Sequence, residues 1–267
     1  MRKLIFLFVL IFCTGFFAFS QTAADDEFSP LDAYYLGRAV AADILAIYKV
    51  DNNPEANQYL NRICQVLVIN SPHQNPYKGY FVTLLDSNEI NAFATPGGHI
   101  FITRKMAESA TSEDMLAAVI AHEIAHVVLR HGIKIINESK FENEMTAIAD
   151  FMAGLAAGQS AEAARAAGFR DSVTRNIDVL LKSGYSQTQE FEADMEAVLM
   201  LAEAGYDPKA LLDMFVILQK ARNSQKNGGL FATHPSPEMR IANFEKLKFR
   251  KNDTLQYRVQ RFNRIKF

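Results

Sequence analysis

The sequence predicts an α+β protein that is mostly helical and contains one small β-sheet. Two observations support this prediction. Apolar residues recur at helical spacing through most of the chain, and N-cap signals precede several of these stretches. β-branched and aromatic residues concentrate between residues 80 and 103, where turn residues separate short runs. With 267 residues, 49% of them hydrophobic, the chain can bury a sizeable core.

The first twenty residues have the features of a secretory signal peptide. Arg2 and Lys3 precede the apolar run Leu4–Phe17, and Ala18-Phe19-Ser20 offers small residues for cleavage. The apolar run is shorter than the roughly 20 residues that a membrane-spanning helix needs. We therefore expect this segment to be cleaved on export, with the mature protein in a periplasm.

Cys13 raises the alternative of a lipid anchor. It ends Leu10-Ile11-Phe12-Cys13, which has the outline of a lipidation box, but bulky Phe12 stands where such boxes have a small residue. We therefore expect no anchor. The mature chain then keeps only Cys64, which excludes an intramolecular disulfide. The predicted divisions are a signal peptide at 1–20, a disordered segment at 21–28, one domain at 29–250 and a tail at 251–267.

Capping and turn signals divide the domain into elements. The predicted elements are helices from Pro30 to about Val50 and from Pro54 to about Asn70, strands at Tyr80–Leu85, Asn91–Ala94 and His99–Thr103, and helices over Ser112–Gly132, Ser186–Ala204, Asp207–Asn223 and Glu238–Leu247. Residues 133–185 contain the helix-prone stretch Met145–Ala157, and we interpret the segment as one or two helices near the active site that could form a mobile cover. The tail, Asn252–Phe267, is expected to add a strand or to pack along the surface.

The helix over Ser112–Gly132 carries the most informative motif, His122-Glu123-Ile124-Ala125-His126. At 3.6 residues per turn the two histidines point from the same face, so their rings can bind one zinc ion. Glu123 can then reach a water in the open position of the metal. Thr111 or Ser112 would cap the helix, and Gly132 fits the C′ position that ends it.

A catalytic zinc usually has a third protein ligand. A histidine ten residues after His122 would provide one, but that position is Gly132. His131 is rotated to the opposite helix face and is expected to be only a C-terminal helix residue. Glu190, from a later helix, is the best candidate, because Asp194 one turn on can orient a zinc histidine through its second ring nitrogen.

Four motifs, taken in their order along the chain, resemble those of peptidase family M48. The members of this family are zinc metalloproteases of the gluzincin type. The four motifs are Asn91–Gly98, His122–His126, Glu190–Asp194, and His234-Pro235 with Arg240 six residues after the histidine. The resemblance covers about residues 30–250. It implies a zincin-like fold, one zinc ion per chain, and hydrolysis of peptide bonds.

The resemblance also implies a role for each matching residue. His122, His126 and Glu190 would bind the metal, and Glu123 would be the general base. Asp194 would orient a histidine ligand, and His234 would lie close to the metal. Arg240 would form an ion pair or contact the reacting carbonyl. His234 would either assist the transition state or occupy the open metal position in a latent state.

The short strand Asn91, Ala92, Phe93 and Ala94 lies just ahead of the zinc helix. In thermolysin-like proteases an exposed edge strand binds the substrate as an added strand. The alternative is a small sheet that only covers the helix.

The predicted function is therefore that of a zinc metalloendopeptidase acting on unfolded or misassembled polypeptides in envelope quality control, with His234 as a gate. Some family members carry membrane helices or a repeat domain that recruits clients, so client identity, oligomeric state and outer-membrane association stay open. The net charge of −2 argues against a nucleic-acid partner. The alternative functions are a zinc-stabilised chaperone for unfolded envelope proteins and a structural helical protein.

Overall fold

The computed structural model describes residues 29–73, 75–135, 184–224, 234, 237–246 and 255–267. The helices and strands with defined bounds are α1 (Pro30–Ile47), α2 (Pro54–Ile69), β1 (Phe81–Leu85), β2 (Ala92–Ala94), β3 (His99–Thr103), α3 (Arg104–Ser109), α4 (Glu113–Val128), α5 (Gln187–Glu203), α6 (Lys209–Ser224), α7 (Pro237–Phe244) and α8 (Gln256–Phe262). The mostly helical α+β prediction is confirmed. The predicted helical stretch Met145–Ala157 lies outside the described residues.

Local capping explains where several helices begin. Ser29 and Asp32 form a capping box at the start of α1, and Asn53 accepts a hydrogen bond from the Ala56 N–H at the start of α2. Ser186 and Gln189 form a second box at the start of α5. These predicted starts are confirmed, whereas α1 ends at Ile47, three residues before the predicted end.

The three strands form one mixed sheet in the order β1-β3-β2. β1 is parallel to β3, and β2 is antiparallel to β3, which leaves β2 at an edge. The predicted strand Asn91–Ala94 begins one residue late, because the Asn91 N–H donates to the side-chain oxygen of Thr103 at 3.1 Å instead of to a backbone carbonyl of β3.

Helices cover both faces of the sheet. On one face, Val40 and Ile44 of α1 pack with Phe101 and Phe93. On the other face, the sheet packs with α2 and α4 in the main core, where Cys64 is fully buried. The contact between α1 and the β2–β3 turn is close: a Cβ on Gly37 would lie 2.3 Å from the Gly97 nitrogen, so glycine is required there.

α4 runs through the core and is the most buried helix among the described residues. Each of its residues from Glu113 to His126 is buried, and Ser112 caps it. α5 and α6 pack against it. Among the described residues, no helix is long and apolar enough to cross a membrane.

The C-terminal tail and the end of α4 differ in part from prediction. Of the two alternatives for the tail, the added strand is wrong and packing along the surface is confirmed. The tail forms α8, most of whose residues are exposed and whose arginines reach α4. α4 ends at Val128, and the residue in the left-handed region is Arg130, with φ of 56°, rather than Gly132. The backbone is helical again over residues 131–135.

The first turn of α4 is held by ion pairs between its buried carboxylates and arginines of α8. Glu113 accepts hydrogen bonds from the Tyr59 hydroxyl at 2.8 Å and from Arg261 Nε at 2.6 Å. Arg258, 5% exposed, lies 3.5 Å from Asp114 Oδ1. The arginines neutralise two carboxylates that would otherwise be buried as unpaired charges.

We predict that Arg258→Met lowers the free energy of unfolding by about 3 kcal/mol, because Asp114 would lose its charged partner inside the protein. Chemical denaturation measures this change. The matched control is Arg264→Met at an exposed position of the same segment, which should change stability by less than about 0.5 kcal/mol. Equal effects of the two substitutions would contradict this account of α8.

Candidate metal centre

Two helices bring three potential ligands to one point. His122 and His126 lie one turn apart on α4, and Glu190 lies in the first turn of α5. The two histidine Nε2 atoms are 3.1 Å apart. Glu190 Oε2 is 3.5 Å from His122 Nε2, and its Oε1 is 3.4 Å from His126 Nε2.

These separations fit a tetrahedral metal. With bonds of about 2.0–2.2 Å, neighbouring ligand atoms around such a metal lie about 3.4 Å apart. Two imidazole nitrogens and one carboxylate form a typical donor set for a catalytic site. His234 joins the group, and ligand atoms of all four residues lie within 4.8 Å of one another. The buried Oε2 atom of Glu123 also lacks a hydrogen-bond partner among the described residues. The residues present therefore fit a bound metal ion.

Glu190 is fully buried but surrounded by positive groups. Its Oε1 lies 2.6 Å from His234 Nδ1, and its Oε2 lies 3.1 Å from Arg240 Nη1. Burial alone would raise the pKa of Glu190, but the charges of His234 and Arg240 and the hydrogen bonds to the ligand histidines hold it well below its usual value. Glu190 is therefore a carboxylate, the form that binds a metal.

His122 is oriented by a carboxylate on its other ring nitrogen. Asp194 Oδ1 lies 3.0 Å from His122 Nδ1. Arg240 holds Asp194 in turn: its Nε donates to Asp194 Oδ2 at 2.9 Å, and its guanidinium packs 4.1 Å above the ring of Phe215. Burial and the Arg240 charge lower the pKa of His122, but hydrogen bonds to Asp194 and Glu190 outweigh them and raise it to about 9.

His126 has a different supporting group, which the sequence analysis missed. His131 Nδ1 lies 3.0 Å from His126 Nδ1, and His131 Nε2 lies 3.1 Å from Glu192 Oε2. The expectation that His131 faces away from the site was wrong. The helix ends before it, and the left-handed Arg130 returns the chain, so His131 is fully buried beside His126.

Tyr185 is the second residue that the sequence analysis did not identify. Its ring stacks on His126, with centroids 3.8 Å apart and planes inclined by 16°. The one available signal was its position directly before the capping box of α5. Nothing in that position specifies a partner on α4.

Glu123 is buried beside the centre. It lines a small cavity together with His122, His234 and Arg240. Burial raises the pKa of Glu123 above its usual value, which makes its carboxylate a stronger base. The structure thus brings together all seven residues predicted for the centre, and β2 lies at the open edge of the sheet beside α4.

Comparisons with known proteins agree on one family. The sequence model of peptidase family M48 matches residues 54–248. The beta-barrel assembly-enhancing protease of Escherichia coli K12 is 31% identical over 199 residues, which cover 72% of this chain and 38% of that protein. The putative beta-barrel assembly-enhancing protease of Vibrio cholerae is 33% identical over 197 residues, covering 72% and 39%.

A mitochondrial protease is also similar to this chain, over a shorter stretch. The metalloendopeptidase OMA1 of Schizosaccharomyces pombe is 31% identical over 156 residues, which cover 58% of this chain and 42% of that protein. The matches span less than half the length of each of these three relatives. The family match includes every residue of the metal centre, and the chain belongs to peptidase family M48.

Proposed function

We propose that this protein is a zinc-dependent metalloendopeptidase of the gluzincin type. The observation that carries the proposal is the convergence of His122, His126 and Glu190 at separations of 3.1–3.5 Å, with buried Glu123 beside them. Zinc is the expected metal because two nitrogens and one oxygen leave one tetrahedral position open. We also propose the signal peptide at 1–20 and the location in a periplasm, which rest on the sequence.

The chemistry divides between the metal and the side chains. When bound, zinc acts as a Lewis acid that polarises the scissile carbonyl and lowers the pKa of a water. Glu123 accepts the proton of the attacking water and then passes it to the leaving amine. Its burial supports this role, because the raised pKa lets one carboxyl group act first as base and then as acid.

β2 supports substrate binding by strand addition. Hydrogen bonds join β3 to the flanking residues Asn91 and Thr95, with Thr103 N donating to Asn91 O and Thr95 N donating to His99 O. In an antiparallel ladder, residues whose backbone groups bond to the neighbouring strand alternate with residues whose backbone groups point away from it. The backbone groups of Phe93 therefore point towards β3. The Ala92 carbonyl and the N–H and carbonyl of Ala94 point towards the open edge. An extended peptide can pair with them.

His234 is proposed as a gate, and Arg240 as the group that positions Asp194 and Glu190. His234 hydrogen-bonds to Glu190 at 2.6 Å, which ties it to a ligand carboxylate. Held beside Glu190, the His234 ring would compete with water and substrate for the open position of a bound metal ion. When displaced, it can donate to the oxyanion of the transition state.

The substrate class is proposed as unfolded or misassembled polypeptides of the cell envelope. The support is the strand-addition edge, which requires an extended substrate, and the similarity to proteases named for β-barrel assembly. The alternative is a zinc-stabilised chaperone that uses the same edge and cleaves little.

We predict that Glu123→Gln keeps one zinc per chain but slows digestion of unfolded casein by about 100-fold to 10,000-fold, because the base is lost. Casein digestion and zinc content are measured on the same sample of residues 21–267. The control, Glu203→Gln on the exposed face of α5, should digest as wild type does. Normal turnover in Glu123→Gln would refute its assignment as base, and zinc binding without cleavage in wild type would favour the chaperone.

We predict that His234→Ala increases casein digestion at unchanged zinc content, because the open metal position is no longer contested. The control is Glu203→Gln, at an exposed position of α5, which should digest casein as wild type does. A decrease in activity would instead assign His234 to stabilisation of the oxyanion.

We predict that His131→Ala weakens zinc binding by about 10-fold to 100-fold, because His126 loses the partner that fixes its ring. Competition with a chelator measures the affinity. The matched control for zinc affinity is His73→Ala, which removes a partly exposed histidine paired with Glu196. Equal affinities for the two variants would contradict a supporting role for His131.

A further inference from the structure

Two cavities flank the metal centre at opposite ends of β2. A small cavity of about 20 Å³ is lined by Ala92 and Glu123. A larger cavity of about 270 Å³ is lined by Ala94 and His126. Ala92 and Ala94 lie on the same face of β2, because strand side chains alternate with a period of two. A peptide paired with β2 therefore runs along the strand from the Ala94 end, beside the larger cavity, to the Ala92 end, beside the small one.

The walls of the larger cavity are mostly apolar. Its apolar lining residues include Pro30 and Ala33 from the start of α1, and Val128, Ile133 and Tyr185. Among the described residues that line it, none is acidic, and Arg130 carries a formal positive charge. α1 precedes residues 54–248, which the family model matches, so this wall is built by a part of the chain outside the family match.

The position of Glu123 gives the peptide a direction. The base delivers its proton to the leaving amine, so the amine half of the substrate must lie on the side of Glu123. That side is the small cavity at the Ala92 end. The acyl half then lies at the Ala94 end, beside the larger cavity, and the substrate runs antiparallel to β2.

We propose that the larger cavity is a specificity pocket for the residue that contributes the scissile carbonyl, and that it takes a large apolar or aromatic side chain. This assignment rests on the proposed peptidase function. An apolar lining favours such side chains because their burial removes apolar surface from water. Lysine and arginine are disfavoured, because the described residues that line the pocket offer them no carboxylate.

Product binding tests the pocket without requiring turnover. Acetyl-Ala-Ala-Phe and acetyl-Ala-Ala-Gly, each with a free C-terminal carboxylate, mimic the acyl-half product. Calorimetry with the zinc-loaded protein should show the phenylalanine peptide binding at least about tenfold more tightly, the order expected from burying one phenyl group. Equal or undetectable binding of the two peptides would overturn the proposal.

Two substitutions that fill the cavity test whether it causes the preference for the phenylalanine peptide. Ala33→Leu, in α1, and Val128→Phe, at the end of α4, should each abolish the preference for phenylalanine, with folding checked by thermal melting. Ala42→Leu, exposed on α1 and not lining the cavity, should keep it. A preference that survives in both folded cavity variants would show that another surface selects the side chain.

Mapping the cleavage sites in casein separates this proposal from the function on which it rests. Large apolar residues should precede the cut bonds in wild type and lose that enrichment in Ala33→Leu. If no bond is cut, the peptidase proposal fails. The ratio of the affinities for the phenylalanine and glycine peptides then still tests the pocket proposal. If bonds are cut without preference, the pocket proposal fails alone.

Discussion

The buried carboxylate of Glu190 is the constraint on which the rest of the centre depends. An ionised carboxylate without exposure to water is stable only when positive or hydrogen-bonding groups surround it. His234 and Arg240 provide the positive groups, and the rings of His122 and His126 complete the shell. Elements far apart in the sequence must therefore converge, and the position where they converge is the proposed metal site.

α4 is fixed at both ends, which keeps its two histidines in place. At its start, the buried carboxylates Glu113 and Asp114 are held by the arginines of α8. At its end, Arg130 adopts a left-handed conformation and returns His131 against His126. Such a rigid support suits a metal site, because ligands that are already oriented lose little freedom on binding.

Local signals predicted much of this structure, and long-range pairing accounts for what they missed. The spacing of His122 and His126, and the capping box at Ser186, are local patterns with one structural meaning. The role of His131 depends on the φ angle of Arg130, an unusual one for a non-glycine residue. The tail became helical because its arginines pair with carboxylates more than 140 residues earlier, which no local pattern encodes.

The central claim is that two histidines of α4 and Glu190 of α5 bind one zinc ion. The most direct test is a crystal structure of zinc-loaded residues 21–267 with diffraction data collected on both sides of the zinc absorption edge. We predict one anomalous peak per chain, bound by Nε2 of His122, Nε2 of His126 and the carboxylate of Glu190. The absence of a peak, or a peak bound by other residues, would contradict the account.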